Sequence, residues 1–340
     1  MRTFFATFPA GLDALVTRFV EQDFDHLSVH STFENALICT SALGDSAVSQ
    51  CPYFHNVFTI IDRFCGNMRG ELASAITYFT RKLDSYDLRR QIRPFKSFRI
   101  VISDENKLIS IDSALRRSLE QKVSRIIGTP IDNKDPGAEL WIARRREGEV
   151  LLMRKLFSRR KRTAPAGALH AELGSILCRL SEPSGDDVFL DPFCGHGGIF
   201  LQRLTWKYRM AFALDKNPEC IESVKQSLQK RNPKWRKRTY VKFGDGTRLN
   251  DFRDGFVTAI ATDPPWGSYD RTIDLEDVYS RVCREASRVL SHDGVFVLLA
   301  GRSLQIDRFL DRSSPGLTVV ESHDLLVSGK KATVWRIVKR

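Results

Sequence analysis

The sequence predicts two kinds of fold in one chain. The second half reads as α/β, a parallel doubly wound sheet with an antiparallel hairpin strand at its end; an α+β region precedes it. Three observations carry this. From about residue 170, strand-like and helix-like segments alternate regularly. The closing segments "TVVESHDLLVS" and "ATVWRIVKR" flank "GKK", a short hairpin turn. The first 165 residues show no such alternation. The basic, proline-bearing stretch "SRRKRTAPAG" (158–167) separates the halves, so the regions are taken as 1–163 and 164–340.

In the first region, "FFATF" and "NALICTS" read as strands and "GLDALVTRFVEQ" as a helix. "SFRIVIS" is a strand and "IDSALRRSLEQKVSRII" a helix; "ELWIARR" and "EVLLMRKL" are two more strands. In the second region "GALHAELGSILCRL" is a helix and "DVFLD" a strand, and "GGIFLQRLTWKY" opens a helix. "MAFALD" is a strand. "PECIESVKQSLQKR" is a helix with Pro218 near its first turn, where a missing amide hydrogen costs little. "TYVKFGD" and "FVTAIATD" are strands, "LEDVYSRVCREASRVL" a helix, "GVFVLLA" a strand and "SLQIDRFLDRS" a short helix.

The 340 residues suffice for two domains with real cores. No apolar run has the length of a membrane span. The N-terminal stretch lacks the apolar core of a targeting peptide and is read as part of the fold. The seven cysteines are scattered and never spaced CxxC, which points to reduced thiols inside the cell, with no disulfide framework and no zinc site. The net charge of +12 points to a polyanionic partner such as nucleic acid. The charge is clustered. "RRREGEVLLMRKLFSRRKR" (144–162) brings together Arg144, Arg145 and Arg146 with Arg159, Arg160, Lys161 and Arg162, which are taken as phosphate contacts. "KRNPKWRKRTYVK" (230–242) contains no acid at all.

"FLDPFCGHGGI" (189–199) carries the strongest chemical signal: a strand, an acid at its end, three glycines within four positions, then a helix. Ligands of doubly wound sheets bind outside the carboxyl ends of the strands. Asp191 would repel a pyrophosphate and suits a cationic ligand instead. S-adenosylmethionine, with an ammonium and a sulfonium, is such a ligand, and Asp191, Pro192, Phe193, Cys194, Gly195 and Gly197 are expected to cradle it. Asp215, at the end of the next strand and followed by Lys216, is placed for ribose hydroxyls. Asp245, in "FGDGT" with Gly246, is placed for an adenine amine or simply makes an Asp-Gly turn.

In "IATDPPWGSYD" (260–270) the prolines end a buried strand at Asp263, because proline has no amide hydrogen for the ladder. An exocyclic amine on a nucleobase is a poor nucleophile, its lone pair being delocalised into the ring. The Asp263 carboxylate and the Pro264 carbonyl offer two acceptors for its two hydrogens, which favours a pyramidal nitrogen. Pro265 stiffens the turn, and Trp266 offers a flat face on which a base stacks.

"DPFCGHGGI" followed by "DPPWG" resembles the amino-methyltransferases of the class I, Rossmann-like fold. The whole chain is similar to the THUMP-domain RNA guanine-N2 methyltransferases. "FFATFPAGLDALVTRFV" resembles their opening, "DPGAELWIARRREGEVLLMRKL" the final hairpin of a THUMP domain, and "AGALHAELGSILCRL" the helix that introduces the catalytic domain. The resemblance implies methylation of a guanosine amine in a structured RNA, usually tRNA, by a cytoplasmic or nuclear enzyme. It also admits a small adaptor subunit, as in eukaryotic relatives. The chain departs from the family in two places. Trp266 stands where tyrosine is usual, and His196 occupies a loop position that is usually small, where a structural role is favoured over a general base. Adenine-N6 methylation remains a rival, as does a non-catalytic RNA-binding protein. Pyrimidine C5 methylation needs a cysteine nucleophile, and "DPPWG" has none.

Overall fold

The computed structural model describes residues 1–65, 71–92, 95–158, 168–231, 237–267, 274–314 and 316–340. They form two compact units: Met1–Thr7 with Val20–Arg160, and Phe8–Phe19 with Lys161–Arg340. The expected boundary at 163/164 lies outside the described residues. The sequence gives no sign that Phe8–Phe19, with most of helix α1 (Asp13–Asp23), groups with the later unit.

The first unit contains one eight-stranded sheet. Its strands are β1 (Arg2–Thr7), β2 (Leu27–Phe33), β3 (Ala36–Ser41), β4 (Asn56–Cys65), β5 (Phe98–Asp104), β6 (Lys107–Leu108), β7 (Ala138–Arg144) and β8 (Glu149–Ser158). They lie in the order β2-β3-β1-β4-β8-β7-β5-β6. Helices α2 (Asp45–Ser49), α3 (Glu71–Lys82), α4 (Leu88–Ile92) and α5 (Ser113–Ile127) complete it. Phe79 of α3 and Val123 of α5 share a core with Ile100 and Ile142 of the sheet. The Asp112 carboxylate caps α5, accepting from the amides of Ala114 (3.0 Å) and Leu115 (2.9 Å).

Strands β2 and β4 are not evident from the sequence pattern. Both carry an extra residue: β2 between Val29 and Ser31, and β4 between Ile60 and Asp62. Each bulge breaks the period-two alternation by which a strand is recognised.

The second unit holds a seven-stranded sheet. Its strands are β9 (Val188–Asp191), β10 (Met210–Asp215), β11 (Thr239–Phe243), β12 (Val257–Thr262), β13 (Leu290–Gly301), β14 (Leu317–Val327) and β15 (Lys330–Lys339). The order is β11-β10-β9-β12-β13-β15-β14. The first five run parallel; β15 is antiparallel to both β13 and β14. The helices are α6 (Ala171–Leu180), α7 (Phe200–Arg203), α8 (Pro218–Arg231), α9 (Leu275–Val289) and α10 (Asp307–Ser313). Tyr279 and Cys283 of α9 pack with Leu190, Ile260 and Phe296 of the sheet. The strand order reverses between β9 and β12, and a crevice opens at the carboxyl ends of such a pair. Within this unit Leu326 N–H donates to Ala10 O (3.3 Å), and Arg18 pairs with Glu321 (2.7 Å), tying the Phe8–Phe19 segment to β14.

Two local constraints set the crevice. A Cβ at Gly174 of α6 would lie 2.1 Å from the Gly198 carbonyl oxygen, so only glycine lets the helix approach the loop after β9. The helix expected to follow that loop is one turn long. The fully buried Arg203 ends it by folding back, donating from Nη1 to Lys207 O (3.0 Å) and from Nη2 to Asp187 Oδ2 (2.5 Å). Asp187 Oδ1 also takes the Thr258 hydroxyl (3.1 Å), so one buried ion pair ties the starts of β9 and β12 to α7.

Removing one partner of such a pair strands the other charge in the core. Arg203→Leu is expected to destabilise the second unit by about 3–5 kcal/mol. Urea unfolding of the full chain measures this, and an unchanged midpoint would show the pair to be idle.

Candidate active site

A cavity of about 390 Å³ opens at the reversal of strand order. Asp191, Phe193, Cys194 and Gly195 line it from the glycine loop after β9, and Asp263, Pro264, Pro265 and Trp266 line it from the turn after β12. The two motifs, 72 residues apart from Asp191 to Asp263, therefore meet in space.

Asp191 is 1% exposed. One of its oxygens, Oδ1, accepts the Thr262 hydroxyl (3.0 Å) and, more loosely, the Phe193 amide (3.4 Å). No cation pairs with it among the described residues. Burial pushes its pKa up to about 8 despite those hydrogen bonds, with the nearby carboxylates of Asp215 and Asp263 adding to the rise. Asp263 is pushed up to about 7, again by burial, and Trp266 pulls the other way: its indole N–H donates to Asp263 Oδ1 at 2.8 Å. The carbonyl oxygens of Pro264 (3.4 Å) and Pro265 (3.3 Å) converge on the hydroxyl of the fully buried Tyr279.

The remaining expected ligand residues frame the cavity without lining it. Asp215 Oδ2 accepts the Gly195 amide and Oδ1 the Asn217 amide, both at 2.8 Å, so this carboxylate fixes the glycine loop. Asp245 accepts the Thr247 amide (2.9 Å) and hydroxyl (2.7 Å) and pairs with Lys216 (3.2 Å). Burial alone would raise its pKa, but these partners outweigh it and hold Asp245 below its ordinary value. Gly246 permits close approach rather than an unusual turn: a Cβ there would meet Pro192 O at 2.4 Å. Pro192 and Gly197 stay behind the loop surface, outside the lining.

Several lining residues are ones that the sequence pattern hides or misrepresents. His196 lines the cavity, with Nε2 3.8 Å from Cys220 Sγ on α8 and a buried Nδ1 that has no partner among the described residues. Asn217 carries a weak signal, two residues beyond Asp215. Val327, Ser328 and Lys330 come from the turn between β14 and β15, and only the strand order brings that turn to the carboxyl edge. Burial pushes the Cys194 thiol far up, which keeps it protonated and unsuited to nucleophilic attack.

The basic hairpin of the first unit requires a correction. Arg145 is 6% exposed, and its guanidinium lies over the rings of Phe5 (5.1 Å) and Phe33 (5.9 Å), so it cannot grip a phosphate. Arg144 is held by both oxygens of Asp104 (2.6 and 2.7 Å). Arg146 is exposed, paired at the surface with Glu34 (2.6 Å). Arg159, Arg160, Lys161 and Arg162 lie outside the described residues.

Residues 158–329 match the family described as RMKL-like, methyltransferase domain. The chain belongs to that family. Its second unit has the class I methyltransferase fold. Among solved structures, TrmN from Thermus thermophilus superposes with a TM-score of 0.79, covering 100% of both chains at 20% identity. A tRNA (guanine(10)-N2)-dimethyltransferase of Methanothermobacter thermautotrophicus is 25% identical over 181 residues, 51% of this chain and 50% of that protein. A probable cobalt-precorrin-6B C(15)-methyltransferase (decarboxylating) of the same organism is 34% identical over 70 residues, 21% of this chain and 36% of that protein. The chain thus spans half or less of the length of these two relatives.

The raised acids have a consequence for stability. An acid whose folded pKa exceeds its unfolded value of 3.8 holds its proton longer in the folded state, so stability falls as pH rises from about 4 to about 8. Between pH 5 and pH 8 the melting temperature of Asp191→Asn is expected to decline less than that of the wild type. Equal slopes in scanning calorimetry would mean that Asp191 titrates normally.

Proposed function

We propose that the protein is an S-adenosylmethionine-dependent methyltransferase acting on the exocyclic amine of guanosine (guanine-N2) in a structured RNA, tRNA foremost. One observation carries this: two acids, the buried Asp191 and the half-buried Asp263, face one cavity from adjacent strand ends, each without a cation of its own among the described residues. The family membership, the tRNA guanine-N2 relative and the fold shared with TrmN support the reading.

The cavity fits a cationic ligand. Asp191 is a buried acid awaiting positive charge, and a Cβ at Gly195 would meet nothing within 4 Å, leaving the loop surface open. Asp191 would hold the ammonium, Asp215 the ribose hydroxyls and Asp245 the adenine amine. When bound, the cofactor supplies an electrophilic methyl group on sulfur. Asp263 and the free lone pair of the Pro264 carbonyl would accept the two hydrogens of the target amine. The amine nitrogen would take up that methyl group through its lone pair, and Asp263 or water would accept the surplus proton. Positioning and electrostatics carry the rate.

The first unit, THUMP-like in this reading, would grip the RNA by shape and charge, through Arg146 and the basic run beyond it. A cytoplasmic setting follows from a tRNA substrate.

The test is nucleoside mass spectrometry of unmodified tRNA transcripts incubated with the full chain and S-adenosylmethionine. N2-methylguanosine is expected; N6-methyladenosine would hand the case to the rival amine. Transfer by the chain alone would exclude a required adaptor. Asp263→Ala should slow single-turnover transfer by on the order of a hundredfold. Asp215→Ala should weaken cofactor binding by roughly 1–3 kcal/mol in calorimetry. Full activity of Asp263→Ala would overturn the assignment of the turn.

A further inference from the structure

The sequence assigns Trp266 to stacking on the target base. The geometry gives it a different partner. Its Nε1 lies 2.8 Å from Asp263 Oδ1, a good hydrogen-bond length, and an indole N–H is a donor only. Among the described residues no other group donates to Asp263. The backbone of the turn has its own support in Tyr279, on which both proline carbonyls converge. The Trp266 contact, by contrast, acts on the carboxylate.

A neutral donor suits this acid. A lysine or arginine in its place would neutralise Asp263 and compete with the amine. An indole N–H fixes one oxygen, keeps the charge, and leaves the other oxygen for an incoming N–H. It also opposes the burial that pushes the acid toward neutrality.

We infer that Trp266 is a positioning residue: its indole N–H orients the Asp263 carboxylate so that the remaining oxygen meets the target amine. This rests on the amine-methylation reading of the site.

Two substitutions separate donor from stacking surface. Trp266→Phe keeps a ring and loses the N–H. Trp266→Gln loses the ring and offers an amide N–H of similar reach. The first measurement needs no substrate: the titration of Asp263 followed by carbon-13 NMR of the labelled carboxyl group in the full-length protein. Trp266→Phe should move that titration to higher pH, and Trp266→Gln should restore it toward wild type. The second is the pH profile of single-turnover methyl transfer. In Trp266→Phe the acid limb should shift upward by about one pH unit, so that the rate below neutrality falls about tenfold and the gap narrows at high pH. An Asp263 titration unmoved in Trp266→Phe would overturn the inference, as would a wild-type pH profile in that variant. A wild-type protein that methylates no RNA would instead refute the proposed function, and the NMR titration would still decide whether Trp266 governs Asp263.

Discussion

Adjacent parallel strands β9 and β12 lead into two carboxyl groups, Asp191 buried and Asp263 half-buried, and the fold gives neither a cation among the described residues. Burying an unpaired acid is costly, and a protein escapes most of that cost by letting the group keep its proton. Burial pushes Asp191 and Asp263 in that direction, up to about 8 and about 7. Much of the second unit can be understood as what it takes to maintain this arrangement. Thr262 crosses from β12 to steady Asp191, Asp215 pins the glycine loop, and Gly174 lets α6 press against that loop from behind. At the opposite ends of the same strands the Arg203–Asp187 pair locks their spacing. A cationic ligand that enters the cavity relieves a strain already present.

The parts of the site that are legible in the sequence are those imposed by the local backbone. Three glycines after one strand, and two prolines after another, leave few conformations, so residue order alone places the loop and the turn. Contacts set by side-chain rotamers or by distant topology are not legible. Nothing in "DPPWG" says that the tryptophan turns its N–H back onto the acid three residues earlier, and nothing in "GKK" says that its turn reaches the cavity. In the fold, β2 and β4 escape notice because bulges hide their alternation. Helix α3 is different: Leu72, Ala75, Ile76 and Phe79 keep helical spacing, so its pattern is legible in the sequence itself.

Charge misleads for a related reason. Three consecutive arginines look like one polyanion-binding patch, yet successive residues of a strand point to opposite faces and the hairpin turn redirects the next. Arg144 meets Asp104, Arg145 is roofed by two phenylalanines, and only Arg146 stays at the surface. A run of like charge in the sequence is thus divided in space among an ion pair, a cation–π contact and solvent.

The routing of the first twenty residues bears on how the protein is made. β1 lies inside the first sheet, between β3 and β4, while the residues that follow it join a unit whose last strands are more than three hundred residues away. On the ribosome the early sheet emerges first, as N-terminal domains generally do. The Phe8–Phe19 segment must then wait: its partners Glu321 and Leu326 follow it by some three hundred residues. Until they arrive, Leu12, Leu15 and Val16, all buried in the finished protein, lack their final setting. The nascent chain therefore carries an apolar half-helix until β14 has been made. A stop codon before β14 would leave it permanently without its native partner, a natural handle for chaperones and for quality-control proteases.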